Sequence, residues 1–176
     1  MRIFRTLLAA FALAFAALPS WAAITPQQAI TLKATCTADP TCLGLMQTAD
    51  DVGMAAWFNT TDAAYIVWRS DVTTTEARKV MVWTEIDALT AGKARIWEWM
   101  REGGMLDARD ANIRQGLNDA FSAATATRTA LTALAKRSAT RAEKALASGA
   151  GTTASPSIMT FVGSITYADA SLIRTS

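Results

Sequence analysis

The residues of this chain that could do chemistry fall into four groups. The first is a cysteine pair, Cys36 and Cys42, which encloses Thr-Ala-Asp-Pro-Thr. Asp39-Pro40 favours a turn between them, so in an oxidising compartment the two are expected to close a short-loop disulfide. The spacing is not Cys-x-x-Cys, and thiol redox chemistry is the weaker reading. The second group is carboxylates close in sequence, Glu85 with Asp87 and Asp107 with Asp110. Acid–base work needs two carboxyls converging on one substrate in different environments. Helix capping accounts for Asp87 and Asp110 equally well, and Glu98 can pair with Arg95 or Arg101 at helical spacing three. The third group is Lys136, Arg137, Arg141 and Lys144, four cations within nine residues. They read as a solvated face or as a surface for an acidic protein partner. The fourth is the run Gly149–Pro156, which lacks the Gly-Lys-Ser/Thr of a phosphate-cradling loop and follows a helix. It reads as a helix stop and connector.

What is missing narrows the chemistry further. The 176 residues contain no histidine, which removes His-based triads, His general bases and imidazole zinc sites. Two cysteines cannot build a Cys₄ site. The expectation is a non-enzymatic chain with no catalytic residue, no cofactor and no metal. A net charge of +2 is too small a footprint for a nucleic-acid binder.

Residues 1–22 read as a secretory signal peptide. Arg2 and Arg5 form a basic start, Leu7 to Leu18 is an unbroken apolar run, and Ser20-Trp21-Ala22 places small residues before a cleavage point at Ala23. A run of twelve residues is shorter than the roughly 20 a membrane-spanning helix needs. Without this segment, residues 23–176 carry 15 basic and 15 acidic residues, and no stable membrane insertion is expected. The alternative is that Thr25-Pro26 marks the true start.

The elements that must position these groups are mostly helices. Alanine occurs 30 times after residue 22, which favours helix wherever Gly and Pro are absent. Thr25 with Pro26 predicts a first helix to about Thr35. A second begins at Asp50 or Asp51 and ends near Asn59. Tyr65–Trp68 is a short β-type run. Thr73 and Glu76 form a capping-box pattern ahead of a helix carrying Val80, Met81 and Trp83. Asp87 or Thr90 opens a helix that stops at Gly103-Gly104. Asp110 caps a helix with Ile113, Leu117 and Phe121 on one stripe. The longest helix is expected over Thr125–Ser148, with Leu131, Leu134, Ala135, Ala142, Ala145 and Leu146 on one side and the four cations on the other. Ile158–Val162 could pair with Tyr65–Trp68, and Thr166 with Asp169 suggests a final helical turn or two. The fold class expected is mainly α: a single compact multi-helix domain over 23–176, with one small two-stranded β element. Five tryptophans, Trp57, Trp68, Trp83, Trp97 and Trp99, are expected to build the core. Trp99 falls at the edge of its helix's apolar side and is either second-layer core or an interface residue.

Six ordered segments together resemble a family of small proteins of tailed bacteriophages and prophages. They are Val67–Ser70, Val82–Leu89, Gly92–Trp99, Asn112–Gly116, Lys136–Lys144 and Gly149–Pro156. The resemblance spans roughly residues 50–170, and its specificity lies in the ordered set, since no segment is a catalytic signature. It implies a product encoded among virion structural genes, assembled in the host cytoplasm, whose partners are other phage structural proteins or a second copy of itself. Two features depart from that pattern: an export signal, and the Cys36/Cys42 pair. They favour the alternative of an exported periplasmic binding or host-modifying protein. Trp99, Lys136, Arg137, Arg141 and Lys144 are the interface candidates under either reading, with no nucleic acid as partner.

Overall fold

The computed structural model describes residues 24–176; the expected signal segment, 1–22, lies outside them. Among the described residues ten helices alternate with six short strands. The fold is mainly α, as the composition predicts.

The first three helices follow their local signals. In α1 (Pro26–Ala38), Thr25 and Gln28 exchange a reciprocal cap and Pro26 occupies the first turn, where its missing N–H costs nothing. α2 (Pro40–Gln47) begins after Asp39, whose carboxylate accepts from the Thr41 and Cys42 amides. Cys36 and Cys42 are bonded across this corner, and both are fully buried. α3 (Asp51–Asn59) is capped by Asp50 and buries Met54, Trp57 and Phe58.

β1 (Thr61–Trp68) then leaves this group of helices. β2 (Val72–Thr73), α4 (Thr74–Val80), α5 (Trp83–Asp87), α6 (Ala91–Arg101), β3 (Met105–Leu106), α7 (Ala111–Ala120) and α8 (Thr125–Leu134) follow. β2 and β3 pair antiparallel. Ile113, Leu117 and Phe121 share a cluster, as their stripe predicts, with Val72, Trp97, Leu106 and Leu131. Trp97 and Phe121 meet edge to face at 5.3 Å between ring centres.

The long helix expected over Thr125–Ser148 does not form. α8 stops at Leu134, and the chain runs as β4 (Lys136–Thr140), α9 (Arg141–Leu146) and β5 (Ala147–Ser148). β4 pairs antiparallel with β1, Trp68 opposite Lys136 and Thr61 opposite Thr140. The exchange of helical for ribbon hydrogen bonds buries Val67 and Ala139 completely, against Met159. A new helix start is written in the sequence. Thr140 and Glu143 make the same reciprocal capping box as Thr73 and Glu76, and the pattern Thr-x-x-Glu marks an N-terminus. The apolar residues that would share one helical side are therefore divided. Leu131, Leu134 and Ala135 join the second cluster, while Ala142, Ala145 and Leu146 join the first.

A second correction concerns strand pairing. β1 does not pair with Ile158–Val162. β6 (Ile158–Met159) pairs with β5 instead, and Ser157 alone bridges to Val67, in parallel. The loop before it packs closely on β1: the Ile66 amide donates to the Gly151 carbonyl at 2.7 Å. Gly151 has φ +67°, and a Cβ there would lie 2.2 Å from the Tyr65 ring, so a side chain is excluded both by conformation and by space. α10 (Tyr167–Thr175), capped by Thr166 and Asp169, closes the chain against α1 and α3.

The order of these elements has a topological result. Residues 24–58 and 142–173 supply the first cluster, around Leu32, Phe58, Phe161 and Ile173. Residues 72–135 supply the second. The second group of helices is thus inserted into the first, through the two strands of the β1–β4 ribbon. Beside its exit, the Arg69 amide donates to the Ala135 carbonyl. The Arg69 guanidinium spans Asp71 at 3.0 Å and Glu76 at 3.1 Å.

Hydrogen bonds from the Thr73 amide and hydroxyl, with Arg69 beside them, hold the Glu76 carboxyl at about 2, below its ordinary 4.5. Its folded pKa lies below its unfolded one, so the stabilisation is complete above pH 4.5 and is lost as pH falls toward 2. Asp51, Asp62, Glu85 and Asp107 are shifted in the same direction. The melting temperature should therefore be flat just above pH 5 and fall steadily below it. Glu76→Gln should lower the plateau and reduce the slope below pH 4.5, measured by thermal scans across pH; an unchanged slope would refute the assignment.

Candidate functional site

The four cations near residue 140 are not one face. Lys136 and Arg137 are on β4, and Arg141 and Lys144 are on α9. Each is engaged within the chain. The Arg137 guanidinium grips the Glu143 carboxylate with both terminal nitrogens, at 2.7 and 2.5 Å, and also donates to the Ser138 carbonyl. The Glu143 side chain is only 3% exposed and also accepts from the Thr140 amide. Arg141 lies over the Trp57 ring at 4.6 Å. Lys144 pairs with Asp62 at 2.7 Å and sits above Tyr65. Lys136 lies over Trp68, donates to the Thr153 carbonyl and has no carboxylate partner among the described residues. A strand's period of two and a helix's period of 3.6 cannot align these side chains into one stripe, and the charges of Arg137 and Lys144 are spent on holding the ribbon to α9.

The carboxylates weighed for acid–base chemistry are likewise separated. Asp110 caps α7 by accepting from the Asn112 amide at 2.7 Å. Asp107 binds Arg109, whose guanidinium holds its carboxyl below the usual range. Glu85 reaches from α5 to α8. It accepts from the Thr127 amide at 2.8 Å and the Ala126 amide at 3.3 Å. The Thr127 hydroxyl and amide, with the Ala126 amide, hold its carboxyl low. α8 has no side-chain cap of its own, its N-cap being Ala124, so a carboxylate from another helix replaces it. Asp87 does not cap a helix; it is the last residue of α5, and Thr90 precedes α6. Glu98 forms no ion pair with Arg95 or Arg101 among the described residues. No group of three or more Cys, Asp or Glu side chains there could hold a metal ion.

The tryptophans divide differently from the expectation. Trp57 and Trp97 are buried core residues, as expected, and Trp99 is 67% exposed on α6. Trp83, expected in the core, is 61% exposed. It starts the five-residue α5, a helix too short to show a period that could reveal which side faces water. Trp83 lines a cleft of about 380 Å³ with Met81, Ile86, Leu89 and Trp97, edged by Arg78, Glu98 and Arg101. An adjoining hollow is walled by Glu98, Trp99, Arg101 and Glu102. Arg101 and Glu98 are common to both, so the two exposed tryptophans flank one surface. The Arg101 Nε is buried there and lacks a hydrogen-bond partner among the described residues.

A second concavity, of about 540 Å³, lies between α8 and β4 and includes Arg128, Lys136 and Arg137 in its walls. Sequence reasoning identified Lys136 and Arg137 but not Arg128, which is one turn into α8 and on a different element from the cluster that begins at Lys136.

The chain matches no protein-family model, and no curated protein or solved structure is significantly similar to it. No helix among the described residues is long and apolar enough to cross a membrane.

The Arg137–Glu143 pair generates a prediction of its own. Arg137→Ala would leave a buried carboxylate without its counter-charge. Because Arg137 is itself one-third exposed, the cost should lie below the usual range for buried pairs, at about 2–3 kcal/mol. Arg137→Lys should recover only part of it, because an ammonium cannot make the two-pronged contact. Chemical denaturation of the three proteins checks the order.

Proposed function

We propose that this chain is a non-enzymatic phage or prophage protein that acts by protein–protein contact in virion assembly, in the tail region. The observation that carries the contact reading is the surface between Trp83 and Trp99. The exposed Trp83 lines a cleft with an apolar floor, the exposed Trp99 walls the hollow next to it, and Arg101 lines both. Aromatic residues with an adjacent arginine are the composition of interface hot spots. A partner that covers the indoles would bury both of them against Arg101. The carboxylates that moved from their ordinary pKa values all moved down, each onto a cap or an arginine or lysine. That distribution suits structural roles better than proton transfer at neutral pH. The phage assignment rests on the six ordered segments named above.

One observation favours a second reading, an exported periplasmic binding or host-modifying protein. The buried Cys36–Cys42 bond belongs to an oxidising compartment. The two readings differ in where the chain is found and how it begins.

The test is mass spectrometry of purified particles and of periplasmic and cytoplasmic fractions from a host carrying this sequence. The virion reading expects the chain in particles. Trp99→Ala should reduce its incorporation by about tenfold or more while leaving the melting temperature within about 2 °C. A chain absent from particles refutes that reading. Recovery from the periplasm, starting at Ala23 with oxidised cysteines, establishes the alternative. A large loss of stability in Trp99→Ala would place the indole in a structural role and end the interface argument.

A further inference from the structure

We infer that the concavity between α8 and β4 is a binding site for a phosphorylated small molecule, with Arg128 and Lys136 as the phosphate ligands. Its residues are separate from those of the Trp83–Trp99 surface. At about 540 Å³ it falls within the range of small-molecule sites, roughly 300–1,000 Å³.

The charge in its walls is one-sided. Arg128, Lys136 and Arg137 line it, and no carboxylate does. Arg137 is neutralised by Glu143, with its terminal nitrogens spent on Glu143, Ser138 and Met159. That leaves two cations. Arg128 forms neither an ion pair nor a side-chain hydrogen bond among the described residues, so its fork of donors is open. Lys136 is anchored but not neutralised. Its ammonium lies 5.2 Å from the centre of the Trp68 ring and donates to the Thr153 carbonyl at 2.8 Å. Arg114 lies over the same ring at 5.2 Å and donates to the Ala108 and Arg109 carbonyls, which fixes the indole in turn. Lys136 is thus held in place before any ligand arrives, and the ordering cost on binding falls accordingly.

Two uncompensated cations suit one dianion. A phosphate monoester carries nearly two negative charges at neutral pH and has oxygens enough to meet both an arginine fork and an ammonium. Around the cations stand neutral hydrogen-bonding groups, the Asn118 amide and the Thr132 hydroxyl, neither engaged in a side-chain hydrogen bond among the described residues. Ile66 and Ala133 add apolar wall against which the body of the molecule can pack. An acidic peptide spreads single charges along an extended strip, which a single concavity with two free cations does not match. A nucleic acid would need a far larger basic footprint than this near-neutral chain offers.

The test is a titration of the folded chain in phosphate-free buffer, followed by amide chemical shifts and by calorimetry. The probes are phenyl phosphate, phenol and inorganic phosphate. Phenyl phosphate should shift resonances of residues 128–138 and bind in the millimolar range or tighter, at about 5 mM or below. Phenol should not bind. Arg128→Gln and Lys136→Gln, both changes of half-buried side chains, should each weaken phenyl phosphate by about tenfold or more. Ala133→Trp, which fills the concavity from an exposed position, should abolish it. The proposal is overturned if phenyl phosphate leaves these resonances unmoved, or if its affinity survives both charge substitutions. It is equally overturned if inorganic phosphate binds as tightly, because the organic body would then contribute nothing.

Discussion

The β1–β4 ribbon is the constraint on which the rest of this protein depends. It is the only connection by which residues 72–135 enter the group of helices built from the two ends of the described chain. An antiparallel pair satisfies its backbone groups across the ladder, and both crossings of the chain are paired apart from the register irregularity between Asp62 and Ile66. Over Ile66–Trp68 the outer edge of β1 is closed as well, by Gly151 and Ser157. Two apolar clusters can then form on either side. Each small cluster alone would bury limited apolar surface. The ribbon, with Val67, Ala139 and Met159 beneath it, couples them.

Much of the charge in the molecule serves that coupling. Arg69 gathers Asp71 and Glu76 where β1 ends. Arg137 and Glu143 lock β4 to the helix that follows it. Lys144 returns from α9 to Asp62 on β1. Three of the capping boxes, at Thr73, Thr140 and Thr166, have an acidic third residue, and in two of them that carboxylate also binds an arginine. One carboxylate therefore satisfies orphan amides at a helix start and neutralises a neighbouring guanidinium. The ionic side chains around the ribbon are thus largely paired with one another. Away from the ribbon, Arg128 and Lys136 line one concavity, and Arg101 lines the hollows next to Trp83 and Trp99.

How much could be read in advance depends on the range of the interaction concerned. Starts of helices are local events, and Thr25, Asp50, Thr73, Asp110 and Thr166 announce them within three or four residues. The cysteine pair is equally local, with five residues between its members. The stripe of Ile113, Leu117 and Phe121 found its cluster because a single helix face meets a single core. The stretch after Leu134 misleads for a clear reason. Its alanines favour helix, and its apolar residues recur at helical spacing, yet they serve two different clusters. Only the competing Thr140–Glu143 box records the break, and the partner strand that makes an extended conformation preferable lies about seventy residues earlier. Trp83 and Arg128 were illegible for a related reason: exposure and cleft membership are set by what packs beside them.

The sequence alone therefore determined the helix-rich composition, most helix starts, the disulfide corner and the absence of imidazole chemistry. These follow from backbone propensities, short-range capping and residue inventory, all of which act within a few residues. The tertiary structure decided that the chain crosses twice between two cores, that the cations of 136–144 do not form a common face, and that Trp83 is exposed. Those outcomes depend on pairings between residues tens of positions apart. Burial, charge compensation and concavity exist only once such pairings have formed.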